Sequence, residues 1–170
     1  METINIRKKD IKDVEGLKIG NALSGEGNVI RDPNDPTNAF KLLFRCNGIY
    51  FSNKLYTVNS LVDLSKNVDF PEMVFPDRLL AVDNRVIGFS MPLINGVTLA
   101  DILYNADIDI NIKVKYLKQI GDILEKMAKL RKDNSNLNWY LNDLHERNFV
   151  VDSDKQQLRI VDLDSCRILG

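Results

Sequence analysis

Between Asn111 and Arg131 the apolar residues Tyr116, Leu117, Ile120, Ile123, Leu124, Met127 and Leu130 recur at intervals of three and four. That spacing falls on one stripe of an α-helix and scatters over both faces of a strand, so it predicts a long helix with one buried stripe. The first half of the chain reads differently. Residues 17–19, 28–31, 39–44, 79–82 and 86–91 are short β-like runs separated by turn residues. Pro33 and Pro36 exclude regular structure across residues 32–36, and Asp83-Asn84 reads as a turn between two strands. Asn47-Gly48 either closes a hairpin into Ile49-Tyr50-Phe51 or precedes a helix over about residues 56–66.

A short helix is expected over about residues 98–104, with Gly96 as the joint before it. Beyond a polar break at residues 133–136, the runs 149–151 and 158–161 predict a hairpin across residues 152–155. Strands first, then a long helix, then a small hairpin give an α+β class with two lobes, residues 1–94 and 95–170.

Composition narrows the function classes. At 170 residues the chain can bury a core without disulfides or a structural metal. With 23 Lys+Arg against 24 Asp+Glu it carries no electrostatic footprint for nucleic acid or an anionic membrane. No apolar run approaches the roughly 18 residues of a membrane span, and the first residues lack the apolar core of a signal peptide. Cys46 and Cys166 stand alone beside one histidine, which argues against zinc and for a reducing, cytoplasmic setting.

The chemistry-bearing segment is Asp143-Leu144-His145-Glu146-Arg147-Asn148, followed by Val161-Asp162-Leu163-Asp164. A carboxylate and a carboxamide lie in a polar loop just before one strand, and a carboxylate pair leaves the end of the next. Adjacent hairpin strands bring Asn148 and Asp162 to the same end. Oxygen-only donors of this kind suit Mg²⁺, which takes one or two carboxylates and fills its shell with water and phosphate.

In these strings, Asp143-Leu144-His145-x-x-Asn148 and Val161-Asp162-Leu163-Asp164, the chain resembles the protein-kinase-like superfamily, most closely its aminoglycoside- and choline-kinase-type branch. The resemblance covers about residues 15–168. It implies a two-lobed fold with an antiparallel β-sheet N-lobe and a minimal helical C-lobe. It also implies an ATP- and Mg²⁺-dependent transfer of a γ-phosphate to a hydroxyl acceptor on a protein or small molecule. By the same resemblance Asp143 orients or deprotonates the acceptor, Lys41 holds phosphates, and Asn148 and Asp162 bind the metal. Gly25 and Gly27 cover the phosphates, and Asp63 is the candidate helix acid for Lys41. Val29, Ala39 and Phe149 line the base, Met91 takes the gatekeeper place, and the Pro92 carbonyl with the Leu93 N–H and carbonyl faces adenine.

Plainer readings stand beside these. Lys41 can be a lysine that guards a sheet edge, and Gly25 and Gly27 a hairpin turn. His145 reads as a structural hydrogen-bonding residue, Glu72 as surface, and Cys46 and Cys166 as inert thiols. Asp164 is either solvent-exposed or a supplementary metal ligand, and the Tyr116 to Leu130 stripe is core. The chain ends eight residues past Asp162, before the segments that build a kinase acceptor site. The alternatives to an active enzyme are therefore a nucleotide-binding pseudokinase or regulatory module, and a piece of a larger kinase. In the latter case apolar surface left bare on the helix from Asn111 would drive self-association or capture a covering partner.

Overall fold

Short turns join residues 28–31 to 38–42 and 78–82 to 85–92, so each of these two pairs of strand-forming runs closes an antiparallel hairpin. The computed structural model describes residues 2–7, 19, 27–43, 48–133 and 139–168. The chain is α+β and divides into two units, one of Met1–Val68 with Phe75–Leu93 and one of Asp69–Val74 with Ile94–Gly170.

The first unit holds a five-stranded sheet of β1 (Thr3–Asn5), β2 (Asn28–Arg31), β3 (Asn38–Leu42), β4 (Arg78–Val82) and β5 (Arg85–Pro92), in the order β1-β4-β5-β3-β2. Asp83 and Asn84 both take positive φ, 50° and 60°, which gives the two-residue turn whose twist matches a β4–β5 hairpin. Asp35 closes the β2–β3 loop by accepting from the Thr37 N–H at 2.9 Å and hydroxyl at 2.6 Å. Period two then sorts the side chains. Ile30, Phe40, Leu42 and Leu80 form one buried cluster with Ile4, Ile6 and Ile87 against it. By register, Val29, Ala39, Lys41, Phe89 and Met91 occupy the opposite face.

Strand β1 was not expected. It pairs parallel with β4, and the alternation of Ile4 and Ile6 is its sequence signature. The 47–51 alternative resolves as helix: α1 spans Gly48–Ser65, starting eight residues before the expected Tyr56. Its buried positions Lys54, Val58, Leu61 and Val62 keep one helical face, and a lysine among them disguises the period.

The second unit contains β6 (Gly96–Thr98), α2 (Leu99–Leu103), α3 (Ile110–Asp133), β7 (Trp139–Tyr140), β8 (Phe149–Asp152), β9 (Gln157–Ile160) and β10 (Arg167–Ile168). A three-stranded sheet runs β6-β8-β9, and β7 pairs with β10. Gly96 is a strand residue rather than a joint: it lies opposite Asp152 in the ladder, and a Cβ on it would collide with the Val151 carbonyl. Thr98 caps α2 in a reciprocal box with Asp101, whose N–H donates to the threonine hydroxyl while its carboxylate takes the Thr98 N–H.

On α3, Tyr116, Ile123 and Met127 are buried as expected, but Leu117 and Leu124 remain 49% and 40% exposed. The single stripe read from the sequence is too wide for one face, because these leucines lie about 100° round the helix from Tyr116 and Ile123. Among the described residues no helix is long and apolar enough to cross a membrane.

Candidate active site

The site grows from the β8–β9 hairpin. Its ladder runs from Asp152 opposite Gln157 to Phe149 opposite Ile160 and is extended by one more bond, from the Val161 N–H to the Asn148 carbonyl at 2.9 Å. Asn148 at the start of one strand and Asp162 just past the end of the other therefore share one end of the hairpin. The opposite end is closed by Asp152, whose Oδ1 accepts from the Asp154 and Lys155 N–H groups.

Residues Glu146–Asn148 form a 3-10 turn with His145 at its head. The His145 Nδ1 accepts from the Arg147 N–H at 3.1 Å and its carbonyl accepts from the Asn148 N–H at 3.0 Å. His145 is thus a turn-forming residue. The Asn148 side chain is buried, and its Nδ2 donates to the Asp143 carbonyl at 2.8 Å and more loosely to Asp143 Oδ2 at 3.4 Å. The other oxygen, Oδ1 of Asp143, lies 3.6 Å from His145 Nε2. With Nδ2 spent on Asp143, the remaining capacity of the Asn148 amide is its acceptor Oδ1.

Asp162 has left-handed backbone, φ 63° and ψ 38°, a conformation that costs a residue with a side chain about 1–2 kcal/mol. The Leu163–Ser165 turn that follows holds it, with the Ser165 hydroxyl donating to the Asp162 carbonyl at 2.9 Å. Asp164 is buried, which removes the solvent-exposed reading of that residue. Burial, and then the charges of Asp164 and Asp162, push the Cys166 thiol up to about 12. An inert, protonated thiol therefore sits beside two carboxylates.

Among the described residues no cluster of three or more His, Cys, Asp or Glu side chains is gathered to hold a metal. An ion served by the Asp162 carboxylate and the Asn148 amide oxygen, with water and phosphate for the rest, does not require one. The donor set fits Mg²⁺ and is wrong for zinc.

The remaining expected site residues lie in the first unit, apart from Phe149, which is buried in β8. Lys41 is buried in β3, in register with Val29 and Phe89 and on the same face as Ala39 and Met91. Gly25 lies outside the described residues. Gly27 is required by packing, since a Cβ there would collide with the Leu42 carbonyl oxygen. Asp63 is not placed to serve Lys41: its carboxylate is 72% exposed and bonded to Lys66 at 3.0 Å. Pro92 ends β5 opposite Asn38. The Leu93 N–H, expected to face adenine, is donated to the Thr37 carbonyl at 2.8 Å.

Two features escaped the sequence reading. Glu72 is a half-buried partner of Lys126 at 2.8 Å rather than plain surface. Asp152 and Arg159 form a buried pair at 3.2 Å, and Arg159 also donates to the Pro71 carbonyl. The signal for the latter was an arginine inside the apolar run Leu158-Arg159-Ile160. No protein-family model matches the chain, and no curated protein matches it.

Proposed function

We propose that the chain is an ATP- and Mg²⁺-dependent phosphotransferase of the protein-kinase-like kind, with residues 1–94 in its N-lobe and 95–170 in its C-lobe. The observation that carries this is the hairpin end, where the Val161-to-Asn148 bond brings an anchored carboxamide and a strained aspartate together while Asp143 is tied to the same loop. Asp83, Asn84 and Gln156 take positive φ within hairpin turns, whereas Asp162 takes it past the end of a strand, and strain kept at such a place supports a residue held for chemistry.

In this reading Asn148 and Asp162 would hold a Mg²⁺ ion, whose charge would offset that of the transferring phosphates. The resemblance assigns Lys41 to the phosphates and Val29, Ala39, Met91 and Phe149 to the base. Asp143 orients the acceptor hydroxyl and accepts its proton. The hydroxyl oxygen bonds to the γ-phosphorus, the bond to the β–γ bridging oxygen breaks, and ADP leaves with that electron pair. A buried, reduced Cys166 suits the cytoplasm.

A second reading, nucleotide binding without efficient transfer, draws on two observations. The Leu93 N–H is committed to Thr37, and Asp63 to Lys66. Thermal melts with and without Mg·ATP, on wild type and Asp162→Asn, test both. At 100-fold over its dissociation constant, Mg·ATP adds about 2.7 kcal/mol to wild-type stability. Asp162→Asn should lose most of that shift. A wild type that does not shift rejects both readings, and a shift without any γ-phosphate transfer to hydroxyl acceptors leaves only the second.

A further inference from the structure

On α3, Ile110, Val114, Leu117, Gly121, Leu124 and Ala128 follow one another by four and three, and every one of them is exposed. This is the seam spacing of a two-helix coiled coil, set about 100° from the stripe that packs on the chain's own core. No described residue covers it. Gly121 in its middle weakens the helix, yet a Cβ there would meet nothing within 4 Å. The packing of the single chain thus gives no reason for a glycine at the centre of a 24-residue helix.

We propose that α3 pairs antiparallel with α3 of a second copy, forming a two-fold symmetric dimer. The seam is self-complementary in that direction. Leu117 meets Ala128 of the second copy, and Leu124 meets Gly121, so each large residue faces a small one, and symmetry repeats both layers. The missing Cβ of Gly121 then makes the seat for a leucine. A parallel pair would set Gly121 on Gly121 and leave a void.

Charge selects the same register. Lys118 and Glu125 flank the seam on one side, and this antiparallel alignment brings each Lys118 toward Glu125 of the second copy, twice over. Shifting the alignment by one heptad would place Lys118 against Lys118, and a parallel pair would place Lys113 against Lys118. Glu125 is solvent-exposed and already held by Lys129 at 2.8 Å, which orients its carboxylate on the helix surface. Arg131, stacked on Tyr140 at 4.2 Å, ends the apolar seam.

Sedimentation velocity of the full chain over a concentration series tests this, without nucleotide. The wild type should dimerise. Lys118→Glu should weaken the dimer tenfold or more, because two attractions become repulsions, and the swap Lys118→Glu with Glu125→Lys should restore it. Gly121→Ala separates packing from folding: it should raise the melting temperature of the dilute, monomeric chain and weaken the dimer. A wild type that stays monomeric to about 100 μM overturns the proposal, as a contact of useful strength would be populated there. A dimer indifferent to Lys118→Glu and Gly121→Ala also overturns it, since another surface would then be responsible.

Discussion

Asp152 and Arg159 offer the sharpest test of what holds the β8–β9 hairpin. Both side chains are 8% exposed and meet at 3.2 Å across adjacent strands. Arg159 also donates to the Pro71 carbonyl, fastening residues 69–74 to β9, where the Ile160 N–H donates to the Glu72 carbonyl at 2.7 Å. Asp152→Ala removes the carboxylate partner of a buried guanidinium and both turn-closing acceptor bonds. The cost of stranding a buried charge is about 3–5 kcal/mol, a large part of the roughly 5–15 kcal/mol that keeps a domain folded. Arg159→Met should cost less, because Asp152 retains its two backbone donors. Replacing both, Asp152→Ala with Arg159→Met, should fall well short of the summed single costs, with a coupling of about 1 kcal/mol or more.

Urea denaturation followed by far-ultraviolet circular dichroism measures all three. Acid provides an independent reading. Burial raises the Asp152 carboxyl, but the bond from Arg159, the bonds from the Asp154 and Lys155 amides and the arginine charge outweigh it, holding it below its ordinary 3.8. Its contribution is therefore fully present above the unfolded value and is lost as pH falls through the lower folded one. Asp152→Asn should flatten that acid limb. An Asp152→Ala cost under about 1 kcal/mol, as for a solvated pair, would refute the reasoning.

Three further outcomes follow from local geometry. Thr98→Ala removes the hydroxyl that accepts from the Asp101 N–H at the head of α2, leaves the backbone half of the box, and should cost about 1 kcal/mol, read as a lowered thermal midpoint. Asn84→Gly places a glycine at φ 60° in the β4–β5 turn and should stabilise by up to about 1 kcal/mol in the same melts. Cys166, buried with its thiol raised to about 12, should resist alkylation at pH 8 until the chain is unfolded; peptide mass mapping distinguishes it from Cys46.

What the sequence made legible was wherever a period was clean. The two-residue turn at Asp83-Asn84, the hairpin of β8 and β9 and the existence of α3 all follow from local pattern. The loop from Asp143 to Asn148 was legible because its residue types are few and their spacing short. Misreadings fell where a charged residue occupies a buried place. Lys54 hid the first turns of α1, and Arg159 concealed a core ion pair inside what looked like an ordinary strand. Strand β1 was lost for another reason: three residues are too few to show alternation until β4 is known to lie beside them.

The helix α3 illustrates a deeper limit. Intervals of three and four do not say where one stripe ends and another begins, so a helix with two apolar faces reads as one with a single broad face. Tyr116, Ile123 and Met127 belong to the core, while Leu117 and Leu124 do not, although all five obey the same spacing. Gly121 is the residue that separates the two sets. A glycine inside a core stripe leaves a void, and one on a solvated face lowers helix stability for nothing. A glycine between two leucines on an exposed seam makes room for a facing side chain, which is why the proposed self-association depends on Gly121 more than on the leucines themselves.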